Sequence, residues 1–277
     1  MDLLLDVYEP IDAPPNRPLF VFIHGGGFLG GARDEKNMVE FCQFFASRGF
    51  IAASLDYRLA KDRGTVPPEW ATYVKALTLG NERMQTSGMA IYPAARDVKT
   101  AIRWLVSEAD IYELNTDFLT VAGSSAGGIL AITAGVTSPD DYRDELDMSV
   151  DPTLSSVNAD VSFEVSTVLD FWGSNIAVHA LGVVWNRWHF DADDPALMIV
   201  HGTEDQVVPF KEAENLAHIY TQTGAPFVFH RLEGVGHSGW DTLIDGKRLV
   251  ETSFDYVVET QGLRVLRAAN EIKSHHM

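Results

Sequence analysis

The chain has 277 residues, 46% hydrophobic and 22% charged, an ordinary globular composition that excludes a disordered chain. Twenty-one Lys and Arg against 39 Asp and Glu leave a net charge of −18, which opposes nucleic acid and anionic membrane surfaces, since both need a basic footprint. The single cysteine, Cys42, excludes an internal disulfide and suits a reducing compartment.

The N-terminus, MDLLLDVYEP, has Asp2 and Asp6 where a signal peptide carries a basic flank, and only Leu3–Leu5 as an apolar stretch. A cytoplasmic protein is the expectation, with a secreted form behind a leader left open. No apolar run approaches the ~20 residues of a membrane span. Leu3–Tyr8 reads as an edge strand. Leu19–Ile23 reads as a buried strand and runs into His24-Gly25-Gly26-Gly27-Phe28. Three successive glycines can turn several backbone N–H groups toward one point, as an oxyanion site requires. A flexible turn or a phosphate cradle would use the same residues, but no Lys-Ser/Thr follows and the spacing is not G-x-G-x-x-G. His24 reads as a packed loop histidine.

Met38, Phe41, Cys42 and Phe45 recur at helical spacing, and Phe50–Ser54 is a second buried strand. The stretch 59–92, with Pro67, Pro68 and then Pro93, breaks the alternation and reads as a long connection. Val98, Ala101, Ile102 and Leu105 predict the next helix. Strand Phe118–Ala122 then leads into Gly123-Ser124-Ser125-Ala126-Gly127, and a helix is expected over Ile129–Ala134. A G-x-S-x-G between strand and helix holds its middle serine, Ser125, at a sharp turn with the hydroxyl exposed. The acidic, polar stretch 138–164 is a second long connection. Loops of this length are surface decoration or overhang a pocket.

Strand Val165–Phe171 is followed by Trp172 and by an apolar stripe of Ile176, Ala180, Leu181, Val184, Trp185 and Trp188, read as one amphipathic helix. An ordinary core-packing helix is one reading; an aromatic wall for substrate is the other. Strand Ala196–Val200 leads into His201-Gly202-Thr203-Glu204-Asp205. Ala213, Leu216, Ala217 and Tyr220 mark another helix, and Phe227–His230 another strand. That strand opens onto a glycine-rich loop holding His237. The tail KSHHM reads as frayed. Strands alternating with helices predict an α/β fold, a mostly parallel sheet with helices on both faces. One domain over 1–277 is expected, with candidate cap elements in 59–92 and 174–190.

A serine hydroxyl needs a base, and the base needs an orienting carboxylate. Among nine histidines, His237 sits where a loop can reach the carboxyl edge of the sheet. His201 reads as part of a turn, His218 as solvent-facing, and His230 as a strand residue. Asp205 is favoured over Glu204 as the carboxylate because its short side chain is easily held by turn N–H groups. The order Ser125, Asp205, His237, preceded by the glycine turn, is that of α/β-hydrolases.

On these motifs, together with Leu4–Pro10, Asp56-Tyr57-Arg58-Leu59, Gly128 and Gly236, the chain resembles the α/β-hydrolase superfamily over nearly its whole length. Within it the likeness is to HGGG-type carboxylesterases, related to hormone-sensitive-lipase-like enzymes. Such enzymes often have Asp or Thr where this chain has Ser124. The resemblance implies a serine hydrolase of carboxylic esters, with Ser125 as nucleophile, His237 as base and Asp205 as its partner; short acyl chains are expected because the sequence offers no large exposed lid helix. It implies an oxyanion hole from the N–H groups of Gly26, Gly27 and Ala126. Candidate substrate-binding residues are Phe28, Ser124, Trp172, Trp185 and Trp188. Neither metal nor organic cofactor is expected, since no H-E-x-x-H or cysteine cluster occurs. The expected partner is a small-molecule ester, and a homodimer is left open. A deacetylase or feruloyl esterase of plant polysaccharide, an amidase or a peptidase would use the same triad. A non-catalytic binder would be expected to have lost one of its members.

Overall fold

A computed structural model describes residues 3–11, 13–156, 158–264 and 271–277. Asp2, used above to read the N-terminus, lies outside them, as does residue 157 of the second long connection. Eight strands form one sheet: β1 (Leu5–Pro10), β2 (Arg17–Ile23), β3 (Ile51–Leu55), β4 (Leu114–Ser124), β5 (Thr167–Phe171), β6 (Ala196–Gly202), β7 (Phe227–Leu232) and β8 (Ile272–His276). Their order is β7-β6-β5-β4-β2-β3-β1-β8. Strands β2 to β7 are parallel to one another, and β1 pairs antiparallel with both β3 and β8.

The apolar strands form because both faces of the sheet are covered. In β2, Leu19, Val21 and Ile23 enter one core, shared with residues of α3 (Glu82–Ser107), α5 (Ala126–Val136), α6 (Ile176–Trp185) and α7 (Phe210–Thr223). Phe20 and Phe22 enter the other, with residues of α1 (Lys36–Ala46) and α8 (Leu249–Thr260). A period of two thus feeds two separate cores from one apolar run.

From β2 the chain goes to β3 on one side of it and then to β4 on the other, so the winding reverses beside β2. Open α/β sheets place their sites at the carboxyl ends of strands at such a reversal. The register brings those ends into line: Ile23 lies beside Gly123, Ser124 beside Phe171, Phe171 beside Val200, and Gly202 beside Leu232.

Four expectations are corrected. The tail is not frayed: β8 pairs with β1, His275 bonds Glu9 at 2.9 Å, and His276 bonds Asp6 at 2.7 Å. Strand β1 is therefore not the edge. The stretch 59–92 is largely helical, holding a short 3-10 turn, α2 (Pro68–Thr78) and the first part of α3. Pro68 occupies the first helical position, where its missing N–H is no loss, and the Asn81 side chain caps α3 by accepting from Met84 N at 3.1 Å. α3 continues through Pro93 to Ser107 and takes in the helix expected from Val98 to Leu105. A one-turn helix, α4 (Ala109–Tyr112), then leads into β4. The predicted helix through Trp188 stops at Trp185, because Asn186 turns left-handed (φ 55°) and caps it. Among the described residues no helix is long and apolar enough to cross a membrane.

Candidate active site

The middle serine of G-x-S-x-G lies between β4 and α5 with φ 54° and ψ −118°. That conformation costs ~1–3 kcal/mol for a non-glycine residue, and the surroundings must enforce it. They do so by close backbone packing. Ser125 N donates to Phe171 O at 2.8 Å. A Cβ at Gly127 would come within 2.1 Å of Ile23 O, so only glycine lets α5 start against the end of β2. Ala126 opens that helix, and its N–H therefore has no partner within it.

The glycine turn after β2 lies beside this bend. A Cβ at Gly25 would stand 3.4 Å from Ser125 Cβ. Gly26 (φ 108°), Gly27 (φ 61°) and Phe28 (φ 63°) follow in left-handed conformations, the kind of run that gathers N–H groups on one side. The turn is braced from below. His24 is buried and stacks on Tyr57 at 4.2 Å between centroids, and Tyr57 Oη donates to His24 O at 3.1 Å and Gly25 O at 3.2 Å. Burial lowers the His24 pKa, as suits the packed role expected of it. Phe28 is buried, its ring 6.0 Å from that of Tyr57, and Ser124 is buried at the end of β4.

Two further loops meet this point. Asp205, just beyond β6, has a buried side chain whose Oδ1 accepts from Val207 N at 2.8 Å and Val208 N at 3.0 Å. Its Oδ2 lies 2.7 Å from His237 Nδ1, and His237 Nε2 lies 2.9 Å from Ser125 Oγ. Glu204, the rival carboxylate, is exposed and meets the histidine loop through its backbone, Glu204 N donating to Val235 O at 3.0 Å. The loop is stitched again by Gly234 N to Thr203 Oγ1 at 2.9 Å. A Cβ at Gly202 would come within 2.2 Å of Val235 O, so glycine is what admits the loop.

The predicted aromatic residues separate. Trp172 is buried in a left-handed bend (φ 47°), its ring 6.4 Å from that of His237 and 4.8 Å from that of Trp240. Trp185 instead joins an aromatic cluster between helices, 6.2 Å from Trp70 and 6.3 Å from Tyr92. Trp188 is 64% exposed. Its ring lies over Gly182 and beside His179, both on α6. A single helical wall is therefore not what these residues make, because the helix ends before Trp188.

Sequence reasoning missed Trp240, Gly202 and Asp170. Asp170 on β5 lies beside Gly123, is fully buried, and accepts from Gly173 N at 2.9 Å. Burial pushes its pKa up to about 7. A charged residue inside an apolar strand was the available signal. Among the described residues, no group of three His, Cys, Asp or Glu gathers to hold a metal ion.

A model of the BD-FAE family matches residues 5–76 and 76–182. Esterase LipC of Mycobacterium tuberculosis is 27% identical over 270 residues, which cover 90% of this chain and 60% of LipC. The chain thus spans less than two thirds of that relative. Esterase 2 of Thermogutta terrifontis, in a structure phosphorylated by paraoxon, superposes with a TM-score of 0.68 at 24% identity, covering 96% of this chain and 92% of that one. Its propionate-bound form gives a TM-score of 0.67 at 24% identity, with the same coverage of 96% and 92%.

Proposed function

The chain belongs to the BD-FAE family and has the α/β-hydrolase fold, and on that premise we propose that it is a serine carboxylic-ester hydrolase. The observation that carries this reading is the continuous relay Ser125 Oγ, His237 Nε2, His237 Nδ1, Asp205 Oδ2, with steps of 2.9 and 2.7 Å. Those distances are within hydrogen-bond reach for a nucleophile, its base and an orienting acid.

In the mechanism, Ser125 Oγ attacks the ester carbonyl while His237 Nε2 takes its proton. Asp205 accepts from Nδ1–H, fixes that tautomer and stabilises the imidazolium. The carbonyl oxygen becomes an oxyanion and is received by the N–H groups of Gly26, Gly27 and Ala126, each worth ~10²–10³ in rate. His237 then gives its proton to the departing alcohol oxygen, leaving an acyl-enzyme on Ser125. Water attacks that ester with His237 again as base, releasing the acid and restoring the serine. No step calls on a metal or an organic cofactor.

Short acyl chains are the proposed substrates. The propionate-bound form of the Thermogutta esterase supports this, as does the buried Trp172 beside His237. A net charge of −18 supports a small-molecule partner rather than nucleic acid. Residues 59–92 and 174–190 are proposed to act together as a cap within one domain, since Trp70 of the first stacks on Trp185 of the second. The test is turnover on p-nitrophenyl esters of rising chain length, with acetylated sugars, feruloyl esters and anilides alongside. The reading predicts short-chain ester cleavage that Ser125→Ala abolishes. Cleavage of anilides in preference to esters would move the protein to an amidase, and full turnover by Ser125→Ala would end the reading.

A further inference from the structure

The carboxylate that orients His237 is contacted by a second imidazole. His201, near the end of β6, is 0% exposed. Its Nε2 lies 2.9 Å from Val208 O and 3.2 Å from Asp205 Oδ2, the same oxygen that meets His237 Nδ1 at 2.7 Å. Its Nδ1 is buried without a partner. A carbonyl oxygen can only accept, so Nε2 carries a proton. Protonating Nδ1 as well would bury a donor with nothing to receive it, so the ring is neutral. Burial agrees, holding the His201 pKa below the ordinary histidine value, and the titratable groups acting on it are Asp205 and His237. The ring it faces from α7 is the uncharged Phe210, at 6.0 Å.

We propose that His201 is a positioning residue of the reaction, its Nε2–H forked between Val208 O and Asp205 Oδ2 so that it both holds the acid and moderates its pull on His237. The proposal rests on the reading of Ser125, His237 and Asp205 as a triad. An oxygen that accepts from two imidazoles presents less negative potential to each. Without the His201 donor that oxygen would turn to His237 alone, and the pH dependence of catalysis reads the change. Val207 N and Val208 N fix the other oxygen of Asp205, so His201 acts only on the oxygen that faces the base.

Two substitutions separate this role from packing. His201→Leu fills the space and removes the donor. His201→Gln keeps an N–H near the position of Nε2. The acid limb of kcat/KM against pH, measured on a p-nitrophenyl ester, should move up by about half a unit or more in His201→Leu, with KM unchanged. In His201→Gln the limb should return toward that of the unmodified protein. A tenfold change in proton affinity is one pH unit, so half a unit is roughly threefold. Coincident limbs in all three proteins would overturn the proposal. Nitrogen NMR of labelled histidines in the unmodified protein gives a second readout that needs neither turnover nor a variant. A neutral Nε2–H His201 across pH 5–9 supports the proposal, and an Nδ1–H or charged ring overturns it. An inactive unmodified protein would count against the triad reading, whereas the tautomer reports on His201 alone.

Discussion

The serine hydroxyl at position 125 owes its proposed reactivity to two loops that are far from it in sequence. In that proposal Asp205 supplies orientation rather than a proton, so its amide should be nearly as damaging as losing the base. Asp205→Asn should lower kcat by ~10⁴ while leaving the fold intact, because Val207 N and Val208 N still find an oxygen. Steady-state kinetics with circular dichroism on the same sample checks both halves. Asp205 and His237 were legible in the sequence because each follows a recognisable apolar strand in the expected chain order. The contact of His201 with Asp205 was not. Three residues separate them, and only the turn between decides whether the two side chains meet.

Among the elements, the sharp connections at the strand ends are the most sensitive to added atoms. Gly202→Ala would place a methyl about 2 Å from Val235 O, closer than any packing tolerates, so the histidine loop must retreat. Catalysis should fall at least about 100-fold, on the scale of an ångström-sized misplacement, with a smaller change in melting temperature because the loop around Val235 is mostly exposed and Val235 only partly buried. Unchanged kcat/KM would show that the approach is not needed. Trp185 carries a different expectation. Its stacking on Trp70 and Tyr92 makes it part of the packing between α2, α3 and α6. Trp185→Ala should cost ~2–3 kcal/mol, less than the 3–5 of a fully buried ring, and denaturant melts would measure it. A shift of acyl-chain preference without that loss would restore the substrate-wall reading. Helix α2 and the first part of α3 were hidden from the sequence by prolines. Pro68 starts a helix rather than ending a strand, and the polar first two turns of α3, from Glu82 to Gly88, give a weak apolar stripe. Strand β8 was hidden for the converse reason. The residues of IKSHH are mostly polar and exposed; they pair through backbone bonds and through His275 and His276 with Glu9 and Asp6, none of which hydropathy reveals.

The whole molecule inherits a pH dependence from a buried carboxyl. Asp170 is pushed up to about 7 by burial, so the folded state keeps a proton that the unfolded chain gives up at ordinary carboxylate values. This contribution is fully present below the unfolded value and is lost as pH rises through about 7. Asp170→Asn removes the titration. Its melting temperature should therefore gain on that of the unmodified protein between pH 5 and pH 8, and parallel curves would count against a neutral buried acid. The sheet edge makes a second global prediction. Removing residues 272–277 bares the outer side of β1 and deprives the buried Asp6 of His276, so thermal melts should shift down by several degrees while ester turnover at 25 °C persists. Those residues lie across β1 and β3 from the catalytic loops in the strand order.

The central claim is that a single hydroxyl, Ser125, is activated by His237. Labelling with paraoxon followed by intact mass and peptide mapping tests it most directly. The account predicts one diethylphosphoryl adduct per chain, on Ser125, absent from Ser125→Ala and slowed by orders of magnitude in His237→Ala. An adduct on another residue, or an equally fast one on Ser125 without His237, would contradict it.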